Sequence, residues 1–419
     1  MNLPTSARSW KTRLALFAMI VGPGIITANV DNDAGGIATY SVAGASYGYR
    51  VLWIMLPTCL LLVLVQEMCS RMGVVTGKGL SALIRERFGL RVSFYLMLAL
   101  IVTNIGNAIA DFAGVAASGE LFGIPRLIMV PVGAFVLWRM VIKGNYQSME
   151  RVFLCACAVY LTYVVSGFLA NPDWGEAARS SVVPTIEWNV GYFSMLVGMI
   201  GTTIAPWMQF YQQASVVEKG IPLKHYRYSQ LDTLLGAVVV TVVAVFIVIA
   251  CAATLNRQGI VVVTADDAAK ALMPIAGSYC GWLFGFGLLT ASFFGATILP
   301  ISTATSVCEA LGWESGVDRK FTEAPQYYFI YTVVIVIGAT VALAAERKNL
   351  INIMLISQVI NGVLLPGVLY LMLRITNDPT IMGEYKNNRL FNIVAWAGGI
   401  VVALMSLAMV VMSFLPRQA

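Results

Sequence analysis

The sequence contains few charged residues and a single histidine. Asp, Glu, Lys and Arg make up only 11% of its 419 residues, whereas roughly 25% is usual in soluble globular proteins. Ten-residue segments of alternating polarity, which mark transmembrane strands, are missing as well. The scarcity of charge excludes an ordinary soluble protein. With 58% hydrophobic residues and a mean hydropathy of +0.78, we expect an all-helical integral membrane protein.

No soluble domain, nucleotide-binding loop or long linker is visible. We do not expect an enzyme, because no nucleophile, relay or cofactor loop stands out, and we expect no cofactor. A sensor that does not transport would be expected to carry a soluble output domain, which is missing too. The net charge of +6 is attributed to cytoplasmic loops, so we expect no nucleic-acid partner. No obligate protein partner is evident either.

Seven cysteines are present, and nearly all of them lie inside apolar stretches. Cys155 and Cys157 are two residues apart, so on a helix they point to different sides and cannot form a chelating pair. We interpret the cysteines as small apolar packing residues.

Eleven apolar blocks are long enough to be membrane helices. The first block is not expected to be a cleaved signal, because its apolar pattern resumes directly after VGPGIITANV. We expect the whole chain, 1–419, to form one transmembrane domain. The blocks lie near residues 14–46, 51–73, 93–122, 127–142, 149–171, 190–215, 230–255, 272–308, 327–345, 350–373 and 390–415.

Lysine and arginine are distributed unevenly over the connections between these blocks. The N-terminus and the connections on its side hold 19 of the 27 basic residues, and the opposite side holds eight. Basic residues accumulate on the cytoplasmic side of a membrane protein. We therefore predict a multi-pass protein of the cell membrane with its N-terminus in the cytoplasm.

The stretch ANVDNDAGGIATYS, residues 28–41, interrupts the first block with two aspartates and a glycine pair. Charges at membrane depth are costly and usually face a protein-lined cavity or an ion path. Gly35 and Gly36 can adopt backbone angles that other residues avoid, so we expect the helix to unwind there. The freed carbonyls would become cation ligands beside Asp33. Asp31 either contributes to the site or simply lines the vestibule.

A second break is predicted in GMIGTTIAPWMQFYQQ, residues 198–213. Pro206 cannot donate an amide to the helix and clashes with the preceding turn, which leaves carbonyls around Thr202 available. Asp33 and Ala205 are 172 residues apart. This separation fits an inverted repeat, with halves at 14–171 and 190–373 and an extra helix at 390–415.

Each of these features also has a purely structural explanation. A proline in a membrane helix is often only a kink, and a glycine pair often only permits close packing. An aspartate beside glycines, combined with a proline break at the start of the second half, is harder to explain in this way. The hydroxyls of Thr202 and Thr203 can also bond back to their own helix, which we expect for Thr203.

Three stretches resemble the Nramp family of divalent-metal transporters. They are GPGIITANVDNDAGGIATYSVAGASYGYRVLW, TGKGL at residues 76–80, and LISQVINGVLLPGVLYLMLRITNDPTIMGEYKN at residues 355–387. The resemblance extends from about residue 20 to about residue 400. It implies a LeuT-type fold with 11 transmembrane helices, an inverted repeat of helices 1–5 and 6–10, and unwound helices 1 and 6.

The chain departs from the family at the residues that bind metal. The family carries Asp-Pro-Gly-Asn in the first unwound segment, and the chain has DAGG at residues 33–36. The carboxylate is kept, and the asparagine becomes Gly36. The family's Met-Pro-His in the sixth helix is APW at residues 205–207, so Ala205 stands in place of the metal-binding methionine.

These departures change the cation that the site should prefer. A site of carboxylate, carbonyls and water, without a soft thioether, suits Mg²⁺, Mn²⁺ or Ca²⁺. Gly36 and Ala205 would make room for a Mg²⁺ ion that keeps several waters. The pattern is similar to that of the Nramp-related magnesium transporters, a branch of the same superfamily. Gln358 corresponds to a glutamine near the metal in the family, or else forms only an interhelical hydrogen bond. The predicted metal site comprises Asp33, Gly36, Thr202, Ala205 and Gln358.

Coupling to protons is expected to be weak or absent. The family has two acids three residues apart in its third helix. Here the first is Ala108 and only the second survives, as Asp111. Asp111 is either a structural hydrogen bonder or an accessory site on the exit path. The family's sixth-helix histidine is Trp207, and His225 falls in a cytoplasmic loop, so no histidine relay can form.

We therefore predict a secondary transporter that imports Mg²⁺, and also Mn²⁺, as a largely hydrated ion without obligatory proton coupling. The alternative is a proton-coupled Mn²⁺/Fe²⁺ symporter of the ordinary Nramp type. An amino-acid transporter of the same fold is disfavoured, because Asp33 would repel the carboxylate of its substrate. The expected partners are the divalent cation and the lipid bilayer.

Overall fold

The computed structural model describes residues 24, 27, 30–143, 161–273, 277–317 and 319–414. All regular secondary structure in these ranges is helical, which confirms the predicted all-helical class. Numbered in chain order, the α-helices are α1 Ala34–Tyr47, α2 Met55–Thr76, α3 Leu80–Leu121, α4 Arg126–Lys143, α5 Leu161–Leu169, α6 Trp174–Val182, α7 Val190–Thr203, α8 Pro206–Glu218, α9 Tyr226–Thr254, α10 Ala265–Ala269, α11 Cys280–Leu311, α12 Pro325–Ala344, α13 Leu350–Thr376, α14 Pro379–Met382 and α15 Arg389–Phe414.

Eight helical stretches of the described chain are long and apolar enough to cross a membrane, compared with eleven predicted blocks. The first two blocks form one stretch, because the 3-10 turn Gly48–Ile54 joins α1 to α2. α4 has three basic residues among its 18, which is too much charge for it to count among these eight membrane-spanning candidates. The block at 149–171 is described only from residue 161 onward, and its two cysteines, Cys155 and Cys157, lie outside the described residues.

α3 begins at Leu80 rather than near residue 93. Its first turns carry the charged residues 85–87, which a search for apolar runs leaves out. Gly89, with φ +82°, kinks the helix between this charged part and the apolar remainder. A residue with a side chain would be strained at that backbone angle, so glycine is required at the kink.

Two interruptions divide helices in the described part of the chain, as predicted. The first is the turn Asp31–Asp33, which follows the helical residue Val30 and precedes α1. The second is the pair 204–205 between α7 and α8. Each interruption lies within a segment that the sequence marks as membrane-spanning, so each one frees backbone groups at membrane depth.

The glycine pair does not form the first break. Gly35 and Gly36 lie in the first turn of α1, and neither has a positive φ, so the expectation that the helix unwinds at these residues is wrong. The break falls earlier because Asp33 is the N-cap of α1. Its carboxylate accepts a hydrogen bond from the N–H of Gly36 at 2.8 Å, and aspartate is a preferred residue at this position.

α3 lies at the centre of the described fold and packs against α11, α12 and α13. α1 packs against α9 and α13, and α7 crosses α13. At that crossing, a Cβ on Gly201 would lie 2.2 Å from the carbonyl oxygen of Gln358, and a Cβ on Gly362 would lie 2.4 Å from that of Val197. Small residues let helix backbones approach this closely in membranes. The crossing sets the end of α7 beside the middle of α13.

A polar cluster joins α2 to α9 and to the chain before α15. The i,i+4 spacing of Glu67 and Arg71 predicts an ion pair, and the structure confirms it at 3.2 Å. Arg71 also donates to Oδ1 of Asn387 at 2.5 Å and to the carbonyl of Tyr385 at 3.1 Å. Tyr226 donates its hydroxyl to Glu67. The Arg71 and Glu67 side chains are only 10% and 15% exposed, so the pair is held largely out of water.

Arg71→Ala should lower the free energy of unfolding by about 3 kcal/mol, because it leaves the Glu67 carboxylate nearly buried without its cation. Arg87→Ala is the matched control. Arg87 pairs with Asp378 at 2.6 Å but is 43% exposed, and such pairs contribute about 0–1 kcal/mol. Thermal unfolding of the purified variants measures both changes. Equal losses of stability would contradict the role assigned to the cluster.

Candidate metal centre

The N-terminus of α1 holds the carboxylate of the site. Asp33 caps this helix through the hydrogen bond from Gly36, and the residue is 4% exposed. The amide groups of the first turn and the helix dipole stabilise a negative charge at this position. Oδ1 of Asp33 accepts the capping hydrogen bond. Its Oδ2 can therefore bind a cation or accept a hydrogen bond from a water on that cation.

The end of α7 supplies a backbone carbonyl. In a continuous α-helix the carbonyl of Thr202 would accept from the N–H four residues later. That residue is Pro206, which has no N–H, so the carbonyl is left without its helical partner. Thr202 is 2% exposed, and its Oγ1 lies 3.1 Å from the position of a Cβ on Gly36. Thr202 therefore lies beside the Asp33 cap.

The neighbouring Thr203 ties the two broken helices together. Its hydroxyl donates to the carbonyl of Met199 at 2.7 Å, which confirms the expected bond back to its own helix. The same oxygen lies 2.7 Å from the hydroxyl of Tyr40, so Tyr40 donates its O–H to Thr203. This contact links α1 to α7 next to both breaks.

Gln358 of α13 reaches the same point from another side. A Cβ on Gly35 would lie 1.9 Å from Nε2 of Gln358 and 3.2 Å from Oδ1 of Asp33. The Gln358 amide therefore occupies the space that a side chain at Gly35 would fill, called here the notch of Gly35. Gln358 is 1% exposed. Its described partners, Ser357 and Asn361, lie on its own helix. Among the described residues, Gln358 therefore makes no hydrogen bond to another helix, which was the alternative role expected for it.

The space beside Gly36 is filled by the protein itself. A Cβ on Gly36 would lie 2.3 Å from the carbonyl oxygen of Asp31. The expectation that Gly36 enlarges the pocket is therefore wrong, and glycine instead lets a second backbone oxygen approach the site. Ala205, in the second break, is 2% exposed, and Trp207 after it is 1% exposed.

The groups brought together at the two breaks are the carboxylate of Asp33, the carbonyl of Asp31, the hydroxyl of Thr202 and the side-chain amide of Gln358. The carbonyl that Pro206 frees belongs to the same Thr202. Within the described ranges, no three or more His, Cys, Asp or Glu side chains come together in a way that could hold a metal ion. Oxygen ligands without sulfur or imidazole suit hard cations such as Mg²⁺, Ca²⁺ and Mn²⁺.

Two further carboxylates are buried near Asp33. Asp31 is 2% exposed and does not line an open vestibule, and neither of its carboxylate oxygens bonds to a described residue. Asp111 of α3 is fully buried. A Cβ on Gly295 would lie 2.4 Å from its Oδ2, and its carboxylate lies near the amide of Ala34. Neither oxygen of Asp111 meets full hydrogen-bond geometry with any described residue.

Two asparagines close to the site were not predicted from the sequence. Asn107 of α3 donates to Asn361 of α13 at 3.1 Å, and Asn361 donates back at 2.8 Å. They are 0% and 1% exposed. The available signal was an amide side chain inside an otherwise apolar run, in NIGNAIAD and in VING, because such side chains at membrane depth require a partner.

The chain matches a protein-family model over most of its length. The model described as natural resistance-associated macrophage protein-like, Nramp, matches residues 24–412. The chain belongs to the Nramp family. The divalent metal cation transporter MntH of Ralstonia nicotianae is 29% identical over 430 residues, which cover 97% of this Nramp chain and 93% of that protein. The MntH of Bacillus subtilis is 24% identical over 407 residues, which cover 94% and 92%.

Solved structures share the fold of this Nramp protein. The manganese transporter of Eremococcus coleocola, in complex with an aromatic bis-isothiourea substituted compound, has a TM-score of 0.78 at 20% identity, over 99% of this chain and 89% of that one. Mhp1, a nucleobase-cation-symport-1 family transporter in a closed conformation, has a TM-score of 0.56 at 14% identity, over 94% and 93%. The predicted LeuT-type fold is confirmed.

Membership of the Nramp family confirms the resemblance to that family, and the likeness to its magnesium-transporting branch stays a prediction. This Nramp protein is a multi-pass membrane transporter and not an enzyme. The helix count of 11 and the bounds of the two repeats stay predictions. Five of the seven cysteines lie in the described part of the chain, and all five are free thiols.

Gly36→Ala should lower the free energy of unfolding by roughly 1–3 kcal/mol and reduce transport, because the new Cβ meets the Asp31 carbonyl and distorts the break. Gly367→Ala on α13 is the matched control. Nothing lies within 4 Å of a Cβ at Gly367, and alanine is the better helix former. Thermal unfolding and uptake into liposomes measure both variants. A Gly36→Ala protein as stable and active as wild type would refute the close approach of Asp31.

Proposed function

We propose that the protein imports divalent cations into the cytoplasm across the cell membrane, Mg²⁺ first and Mn²⁺ as well. The relatives named as divalent metal cation transporters support a divalent cation as substrate, and a manganese transporter shares the fold. The cation crosses largely hydrated, without obligatory movement of a proton. The N-terminus faces the cytoplasm, as the distribution of lysine and arginine predicts.

The observation that carries the choice of Mg²⁺ is the composition of the second break. Ala205 stands where the family resemblance places a methionine, and a soft thioether is the ligand that helps transition metals compete with harder cations. Without it, the site offers a carboxylate and backbone carbonyls. Mg²⁺ gives up water reluctantly and is bound through few direct ligands, so a hard site with acceptors for its waters suits this ion.

Each site residue has a proposed role. Asp33 binds the cation or one of its waters. The carbonyl of Thr202 accepts a hydrogen bond from the water shell, and Ala205 leaves space for that shell. Gly36 admits the carbonyl of Asp31, which is a further acceptor. Gln358 places an amide beside Asp33.

Uptake without a proton is proposed because the chain of ionisable groups is interrupted. Trp207 and Ala108 stand where the family resemblance places a histidine and an acid. The single histidine, His225, lies outside the site, in the turn Leu223–His225, and packs beside Tyr228 with ring centroids 6.0 Å apart. The membrane potential is a sufficient driving force. At 100 mV a divalent cation gains about 4.6 kcal/mol, which supports roughly a thousandfold accumulation.

A proton-coupled Mn²⁺/Fe²⁺ symporter of the ordinary Nramp type is the second candidate. The manganese transporter that shares the fold favours it, as does Asp111, a further fully buried carboxylate. The alanine and tryptophan at positions 205 and 207 disfavour it, because a methionine and a histidine are missing there.

Uptake into liposomes that contain the purified protein, with internal pH followed in parallel, separates the two candidates. We expect Mg²⁺ and Mn²⁺ influx at constant internal pH. Asp33→Ala should reduce influx by about tenfold or more, because it removes the charge that receives the cation. Glu314→Ala, at an acid 66% exposed, is the control and should transport normally. Uptake of Mn²⁺ alone with internal acidification would overturn the proposal and support the symporter.

Ala205→Met should raise Mn²⁺ uptake relative to Mg²⁺ by about tenfold, since a thioether near the ion favours the softer metal. Ala205→Leu is the matched control, because leucine adds a similar volume without sulfur. It should reduce the uptake of both ions and leave their ratio unchanged. Competition between the two cations during uptake measures the ratio. The same shift of the ratio in both variants would exclude sulfur as its cause.

A further inference from the structure

A buried chain of three amides connects α3 to the cation site by way of α13. Asn107 and Asn361 exchange a pair of hydrogen bonds at 3.1 and 2.8 Å. Asn361 also donates to Oε1 of Gln358 at 3.0 Å. All three residues are at most 1% exposed. Buried amides must be partnered, so the arrangement of each one constrains the next.

The directions of these hydrogen bonds define how Gln358 is oriented. The amino group of Asn361 faces Oδ1 of Asn107 and Oε1 of Gln358. If Gln358 turned over, its amino group would meet that of Asn361, donor against donor. Asn361 would then have to turn over, and Asn107 after it. The chain therefore has two self-consistent arrangements, with either the amino end or the oxygen of Gln358 toward the site.

The end of Gln358 that faces the site matters for a cation. An amide oxygen can bind a cation or accept a hydrogen bond from its water, whereas an amino group can do neither. In the structure the amino end lies in the notch of Gly35, which Oδ1 of Asp33 also borders, and it donates to the hydroxyl of Ser357 at 3.3 Å. That arrangement suits a bare carboxylate, which accepts from an amino group. The reversed arrangement suits a bound cation.

We propose that Asn107 and Asn361 are positioning residues, which set the end of the Gln358 amide that faces the cation and thereby tune discrimination among hydrated divalent cations. A cation that keeps its waters needs Gln358 as an acceptor for one of them, and a cation that sheds a water takes Oε1 directly. The proposal rests on the proposed function only in requiring a divalent cation beside Asp33.

Asn104 provides a matched control on the same helix. It lies one turn before Asn107 on α3 and is fully buried. Its amide donates to the hydroxyl of Thr303 on α11 at 2.8 Å, so it makes an interhelical contact that leads away from Gln358. A loss of α3 packing alone would affect Asn104 and Asn107 variants alike.

A double-mutant cycle on uptake by the full-length protein in liposomes, with Mg²⁺ and Mn²⁺ as probes, tests the proposal. Asn107→Ala and Asn361→Ala should each raise KM about three- to tenfold with little change in maximal rate, and should change the Mg²⁺-to-Mn²⁺ ratio. Neither should have a further effect in a Gln358→Ala background, because both act through that residue. Asn104→Ala should leave the ratio unchanged in both backgrounds.

Additive effects of Asn361→Ala and Gln358→Ala on KM would overturn the proposal, and so would an equal change of ratio in Asn104→Ala. If Asn361→Ala fails to fold, Asn107→Ala provides the same cycle from the far end of the amide chain. Uptake of Mn²⁺ without Mg²⁺ in the wild type would contradict the proposed function alone. The cycle measured with Mn²⁺ would then still decide the role of the two asparagines.

Discussion

Polar groups inside a bilayer need partners, and the rest of this structure depends on that constraint. An unpaired backbone group in hydrocarbon costs several kcal/mol, so a membrane helix can break only where protein groups or a bound ion meet what the break exposes. Both breaks here lie among buried residues. Asp33 caps the helix that follows the first, and Pro206 frees the carbonyl of Thr202 at the second. Two breaks beside each other concentrate oxygen atoms where a cation can replace the missing donors.

Small residues shape this site as much as its ligands do. Gly35 admits the amide of Gln358, and Gly36 admits the carbonyl of Asp31. Ala205 has no thioether, the kind of ligand that a softer metal prefers. Backbone oxygens and carboxylates are hard ligands, and the buried carboxylates of Asp31 and Asp111 lie near that of Asp33. The proposed preference for a hard cation rests on these residues at the two breaks.

The sequence predicts the second break correctly, because the missing N–H is a covalent property of Pro206. It places the first break at the wrong residues, because glycine serves two purposes that look identical in a sequence, unusual backbone angles and close approach. Gly35 and Gly36 serve the second purpose. The pairing of Asn107 with Asn361, 254 residues apart, cannot be predicted from one sequence. Hydrophobic periodicity shows which face of a helix is buried but not which helix covers it.

The number of waters that a bound cation keeps tests the central claim most directly. Mn²⁺ is paramagnetic, so electron–nuclear double resonance of the Mn²⁺-bound protein in D₂O detects the exchangeable deuterons of its water ligands. A hydrated-cation site predicts several water ligands, oxygen as the only protein ligand atom, and no bound signal in Asp33→Ala. A bound Mn²⁺ stripped of its waters, or one with a nitrogen or sulfur ligand, would contradict the claim.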